Sequence, residues 1–248
     1  MGEKRIVITG SRGIAEGLAR ALHSEKIFLI GGLEEDSENL AKEHSQIVGF
    51  QAIDLRDEAA VESSFSEASK RLGGITDVIG VVGGSGRSFG DGPIVSVSKS
   101  AWDATLELNL TTAFLTAREA IKHIKENGSV TLTSSVLATS PSPEYFQTHA
   151  YAVSKAAING LVTALSAAYI SKNIRVNAVA PSLVATPMAA RAATNPEIIE
   201  FTKNKMPLVK EQLPVAEVVK AYLYLLNTSS VTGQVLNIDG GWTVISNV

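Results

Sequence analysis

With 248 residues and 45% hydrophobic composition, the chain can bury a sizeable core, and its length demands no second domain. A formal net charge of -3 without any Lys/Arg-rich run excludes the electrostatic footprint of a nucleic-acid binder. Cysteine is absent, which excludes disulfides, thiolate metal sites and cysteine nucleophiles, and no metal site is expected.

Met1 to Arg5 is charged, and the apolar Ile6-Val7-Ile8 that follows is too short for a signal-peptide core. No run approaches a membrane span, and Gly2 lacks the Ser or Thr that myristoylation requires four positions on. The expectation is a soluble, cytoplasmic protein without membrane contact. Seven strand-like runs then alternate with helix-like segments: Ile6–Ile8, Ile27–Ile30, Ile47–Phe50, Val78–Val82, Val130–Leu132, Val176–Val179 and Val235–Ile238. Alternation of this kind predicts one α/β domain over residues 1–248, a doubly wound, mostly parallel seven-stranded sheet with helices on both faces. Val61, Phe65, Ala68 and Leu72 recur at helical spacing, so an amphipathic helix joins the third and fourth strands. Residues 83–93, 141–148 and 181–207 read as irregular stretches at the strand ends where open α/β sheets bind ligands.

Directly after the first strand, Thr9-Gly10-Ser11-Arg12-Gly13-Ile14-Ala15 opens the first helix. There, glycines let backbone N–H groups approach a pyrophosphate, or simply make a tight turn. The second strand ends at Gly31-Gly32-Leu33-Glu34-Glu35-Asp36, whose acids suit the first turn of a helix. Asp54-Leu55 follows the third strand, where an aspartate also serves as a helix cap. Gly83 to Pro93 is a glycine-rich segment carrying Arg87, which either meets an anionic substrate or is solvated. Asn109 lies in a mid-chain helix, and Ser134-Ser135 closes the β-branched Gly128–Thr133 run. Tyr151 and Lys155 stand four residues apart, on one face of a helix. A cation beside a phenol favours the phenolate and brings the group toward proton exchange. His149, two residues earlier, either contacts substrate or begins that helix.

Together with the closing Val231–Trp242 segment, these motifs resemble the short-chain dehydrogenase/reductase family from about Arg5 to Trp242. The resemblance implies a catalytic tetrad of Asn109, Ser135, Tyr151 and Lys155. Tyr151 would exchange the proton, Lys155 would lower its pKa and hold the nicotinamide ribose, Ser135 would orient the carbonyl, and Asn109 would hold a relay water. It also implies a dinucleotide site at Gly10, Ser11, Arg12, Gly13, Ile14, Gly31, Asp54, Leu55, Gly83, Tyr151, Lys155, Pro181, Val184 and Thr186. Asp54 and Leu55 would contact adenine, and Val184 and Thr186 the carboxamide. The glycine turn is one residue shorter than the family's and has Ala15 in the third glycine place. The family's Asn-Asn pair is missing near Gly83, and Ser182 replaces a glycine. Gly31 stands where NAD-preferring relatives carry an acid, and Arg12 where NADP-preferring ones carry a base, so NADP is expected with NAD possible. The expected function is hydride transfer between NADP(H) and a small carbonyl or alcohol, in a homotetramer or homodimer. The rival is a weak or inactive dinucleotide-binding regulatory member of the fold.

Overall fold

The computed structural model describes residues 3–245, so Gly2 and its myristoylation reading lie outside it. Each predicted apolar run forms a strand: β1 (Arg5–Thr9), β2 (Lys26–Ile30), β3 (Ile47–Gln51), β4 (Asp77–Gly80), β5 (Ser129–Thr133), β6 (Arg175–Pro181) and β7 (Val235–Ile238). All pair in parallel in the order β3-β2-β1-β4-β5-β6-β7. The chain reverses direction across the sheet between β1 and β4, which opens a crevice beyond their carboxyl ends.

Period-two side chains bury both faces. In β1, Ile6 and Ile8 join one core with Leu18, Leu40 and Tyr222, from α1 (Ile14–Ala21), α2 (Glu34–Glu43) and α9 (Val215–Asn227). Val7 joins the other with Phe65, Ala117 and Ile158, from α3 (Glu58–Leu72), α5 (Thr112–His123) and α6 (His149–Tyr169). Helix α3 starts where Asp57 accepts a 3.1 Å bond from the Ala60 N–H and stops at left-handed Gly73. Its predicted stripe of Val61, Phe65, Ala68 and Leu72 is buried. Between β4 and α5 lies α4 (Lys99–Leu106), which runs into a π-helical turn at Glu107–Thr111.

Three expectations change. β4 ends at Gly80 instead of continuing to Val82, because the Val81 and Val82 N–H groups turn to Thr9 Oγ1 at 2.9 and 3.3 Å. Much of residues 181–207 is helical, with α7 (Ala190–Thr194) and α8 (Pro196–Lys205). Asn195 caps α8 through the Glu197 and Ile198 N–H groups, and Pro196 supplies the preset φ of the first turn. Finally, the segment His149–Lys172 is long and apolar enough to cross a membrane. In this fold that helix packs on β6 and α4 and carries the buried Lys155.

Candidate active site

The crevice at the β1/β4 switch is a cleft of about 760 Å³. Its floor begins with Gly10 to Ala15. Gly10 (φ 97°) and Gly13 (φ 59°) take left-handed backbone conformations, and Gly13 sits at the N-terminus of α1. A side chain at Gly13 would meet Thr186 Cγ2 at 3.0 Å, so the shortened turn lies directly against the segment after β6. Ser11 is buried, and its hydroxyl accepts from the Leu33 N–H at 3.3 Å, tying the turn to the β2–α2 loop.

Gly10, Ser11, Arg12, Gly13 and Ile14 all line the cleft, as do Gly83, Pro181, Val184 and Thr186. Gly31, Asp54 and Leu55 do not. Leu55 is buried against Gly31, where an added Cβ would approach it to 2.8 Å. The cleft is reached instead by Gly32 and Arg56. Arg56 grips Asp54 through bonds of 2.6–3.0 Å, and this guanidinium holds the Asp54 carboxyl below the usual range. Arg12 is paired too, with Asp36 of α2. Of the three acids in the first turn of α2, Asp36 is the one that meets the glycine turn.

At the other end, α6 projects Tyr151 and Lys155 into the cleft. Lys155 is 2% exposed; its Nζ donates to Thr133 O at 2.8 Å and stands 5.5 Å from the Tyr151 ring centroid. Burial without any carboxylate partner pulls the ammonium down to about 8. Burial also raises the Tyr151 phenol, and the Ser135 hydroxyl works against that rise. The expected lowering of the tyrosine by Lys155 is therefore not what the geometry gives, since the ammonium lies against the ring and bonds a carbonyl.

The two serines differ. Ser134 Oγ donates to Lys155 O and Asn159 Oδ1, a packing role, whereas Ser135 caps the short turn Val136–Ala138 and faces Tyr151. Asn109 occupies the π-helical turn and is fully buried. Its carboxamide accepts from Gly84 N at 3.1 Å and donates to Gly84 O and Thr105 O at 2.9 Å, so both its N–H donors are spent on backbone. Gly83 is wedged between them: a Cβ there would lie 2.7 Å from Asn109 Oδ1 and 3.2 Å from Lys155 Nζ.

Several residues that shape the site escaped sequence reasoning. Thr9 ties β1 to the end of β4 by the two bonds described above. Tyr222 is buried and donates to Thr133 Oγ1 at 2.6 Å, while Thr133 Oγ1 donates to Gly80 O at 2.7 Å. These hydroxyls fix the strand ends where the family's asparagines are missing. Asp91, buried in the glycine-rich segment, accepts from the Ala150 and Tyr151 N–H groups at 3.1 and 2.9 Å. It caps α6 from a distant segment, in a way no local motif announces. His149 begins α6, and its Nδ1 lies 2.7 Å from Gly92 O, so it holds that same segment.

A family profile described as enoyl-(acyl carrier protein) reductase matches residues 8–243. Over 97% of its length the chain is 30% identical to glucose 1-dehydrogenase of Gluconobacter oxydans, covering 92% of that protein. It is 31% identical to a 3-oxoacyl-(acyl-carrier-protein) reductase of Chlamydia muridarum, with 95% of each chain covered. The chain belongs to the short-chain dehydrogenase/reductase family. It is accordingly an NAD(P)-dependent oxidoreductase with a nicotinamide dinucleotide site. Solved structures share the fold: a short-chain type dehydrogenase/reductase from Mycobacterium ulcerans superposes with a TM-score of 0.89 at 24% identity, over 98% of this chain and 92% of that one. A short chain dehydrogenase from Burkholderia cenocepacia, solved in complex with NADP, has a TM-score of 0.86 at 24% identity, over 97% and 98%.

The cleft of this short-chain dehydrogenase/reductase fits such a cofactor. Its glycine turn offers backbone N–H groups at a helix N-terminus. Ser182 Oγ, of a residue on the cleft wall, is buried with no hydrogen-bond partner among the described residues, a donor that a polar ligand group would satisfy.

Proposed function

We propose that this protein is an NADP(H)-dependent carbonyl reductase or alcohol dehydrogenase of a small substrate, with Tyr151, Ser135 and Lys155 as its chemical groups. One observation carries the reading: these three side chains reach the same cleft as the glycine turn, with Ser135 acting on the Tyr151 phenol. When bound, the dinucleotide supplies or receives the hydride. As negative charge grows on the carbonyl oxygen, Ser135 donates a hydrogen bond to it and Tyr151 gives up its phenolic proton. In oxidation Tyr151 takes the proton back. Lys155, with an ammonium at about 8, shares its proton readily near neutral pH and is held at its station by Thr133 O. Asn109 acts as a positioning residue that fixes Gly83 and Gly84 beside Lys155.

Gly10, Ser11, Gly13 and Ile14 would hold the pyrophosphate; Pro181, Val184 and Thr186 would hold the carboxamide. Preference for NADP rests on Arg12 at the cleft, which shares its guanidinium with Asp36, and on Gly31, which brings no acid to the end of β2. The catalytically weak, regulatory reading rests on the shortened glycine turn and the missing Asn-Asn pair; the convergence of Tyr151, Ser135 and Lys155 on one cleft supports the catalytic reading over it.

Tyr151→Phe tests the assignment by deleting the proton and keeping the ring. Turnover of a carbonyl panel should fall by at least the roughly 10²-fold typical of general acid–base catalysis, with NADPH binding retained on the same preparation. Turnover near wild type would remove Tyr151 from the mechanism.

A further inference from the structure

Opposite the dinucleotide end, the cleft is lined by two arginines from unrelated segments, Arg87 of the glycine-rich insertion and Arg191 of α7. Both donate to one acceptor: Arg87 Nη2 reaches Tyr145 O at 3.1 Å and Arg191 Nη2 reaches the same oxygen at 3.0 Å. Among the described residues neither forms an ion pair. The acid whose charge reaches Arg87 is Asp91, and both its carboxylate oxygens accept from the N-terminal N–H groups of α6. Arg87 is exposed toward the cleft, where partial desolvation and then the like charge of Arg191 pull it below its usual value. A guanidinium has five N–H donors, and each of these two spends one on Tyr145.

Beside them the wall is apolar. Leu137, Phe146, Met188 and Trp242 face the same space, with Phe146 edge-on to Trp242 at 5.5 Å between ring centroids. We propose that Arg87 and Arg191 form an oxyanion subsite, so that the substrate is a carbonyl compound with an apolar body and a carboxylate or phosphate at its far end. Planar guanidinium forks suit either oxyanion bidentately, and the anion supplies the counter-charge the protein withholds. The proposal deepens the carbonyl reductase reading and relies on it for where the reacting carbonyl sits.

The test separates the two. NADPH-loaded enzyme is titrated calorimetrically with benzoate, phenyl phosphate and the neutral benzamide, in wild type, Arg87→Gln, Arg191→Gln and the double variant. Benzoate or phenyl phosphate should bind at least roughly tenfold tighter than benzamide, and the double variant should lose that preference, with Arg87→Lys retaining part of it. Whichever anion binds tighter identifies its class. Benzamide binding as well as both anions, or a preference unchanged in the double variant, overturns the proposal. Kinetically, wild type should favour a keto acid over its methyl ester in kcat/KM, and the double variant should compress this ratio. Full turnover in Tyr151→Phe with the anion preference intact would instead sink the reductase mechanism and leave the oxyanion subsite standing.

Discussion

Lys155 shows how far one residue's environment departs from its type. Its ammonium is buried against Thr133 O without an ion-pair partner among the described residues, and burial pulls it down to about 8 from 10.5. In the unfolded chain the proton stays on to the ordinary value, so between pH 8 and 10.5 the unfolded state binds more protons and stability rises with pH. Below pH 8 the native state carries the whole cost of the buried charge, on the order of 3 kcal/mol. Lys155→Met should therefore raise the urea midpoint of the dinucleotide-free protein at pH 7, and the gain should shrink toward pH 10.5. An equal gain at both pH values would show that buried charge is not the cause. Arg12 makes a second case. Its guanidinium is more than half exposed and shared with Asp36, so the NADP contact must compete with a carboxylate and is screened by solvent. Arg12→Ala should weaken NADP by about tenfold, the lower end for a charge-assisted contact, with little change for NAD. Asp36→Asn should strengthen NADP. Parallel titrations decide it, and equal effects on both dinucleotides would make Arg12 a loop-forming residue.

Among the elements, α6 is the one whose placement decides chemistry, and its N-terminus is completed from outside. Thr148 at the cap makes no side-chain bond; Asp91 supplies both acceptors, adding a negative charge at the positive end of the helix dipole. Asp91→Ala should cost about 1–2 kcal/mol, the upper range for a lost cap, and should reduce kcat more than NADPH affinity because Tyr151 donates its N–H to this carboxylate. Thermal unfolding together with a kcat and KM split checks both parts. A stability loss with kcat intact would make Asp91 a structural cap alone. The π-helical turn at Glu107–Thr111 acts similarly, aiming the Asn109 carboxamide at Gly84 and Thr105.

At the scale of the whole molecule, the outer face of α6 lies uncovered. Val153 of α6 and Ile170 in the turn just after it are 46% and 58% exposed, Phe114 of α5 is 45% exposed, and Ala156, Gly160, Ala164 and Ala167 along α6 are small. A Cβ added at Gly160 would meet nothing within 4 Å. An apolar face with small side chains lets another helix approach closely, so the proposed state is a homo-oligomer, a tetramer or a dimer, paired through this helix. Light scattering should give a multiple of 26.1 kDa at micromolar concentration, and Gly160→Arg should shift the mass downward. A monomeric wild type would leave this face without a partner.

Local pattern alone determined the seven strands, the amphipathic α3, the glycine turn before α1 and the Tyr151/Lys155 face, because each depends on spacing within one element and on burial that composition dictates. The start of α8 was equally legible in Asn195-Pro196-Glu197, a cap followed by a first-turn proline, within a stretch that reads as irregular for its other residues. Tertiary structure alone decided what those residues meet. Asp91 caps α6, Tyr222 braces Thr133, Asp36 occupies Arg12, Arg56 reaches the cleft in place of Asp54, and Arg87 meets Arg191 at Tyr145 O. Apart from Arg56, each joins segments far apart in the chain, where side-chain direction and distance follow from how the crossovers wind over the sheet. The same holds for proton affinity: the spacing of Tyr151 and Lys155 suggests a lowered phenol, whereas burial, a property of the whole fold, raises the phenol and lowers the amine.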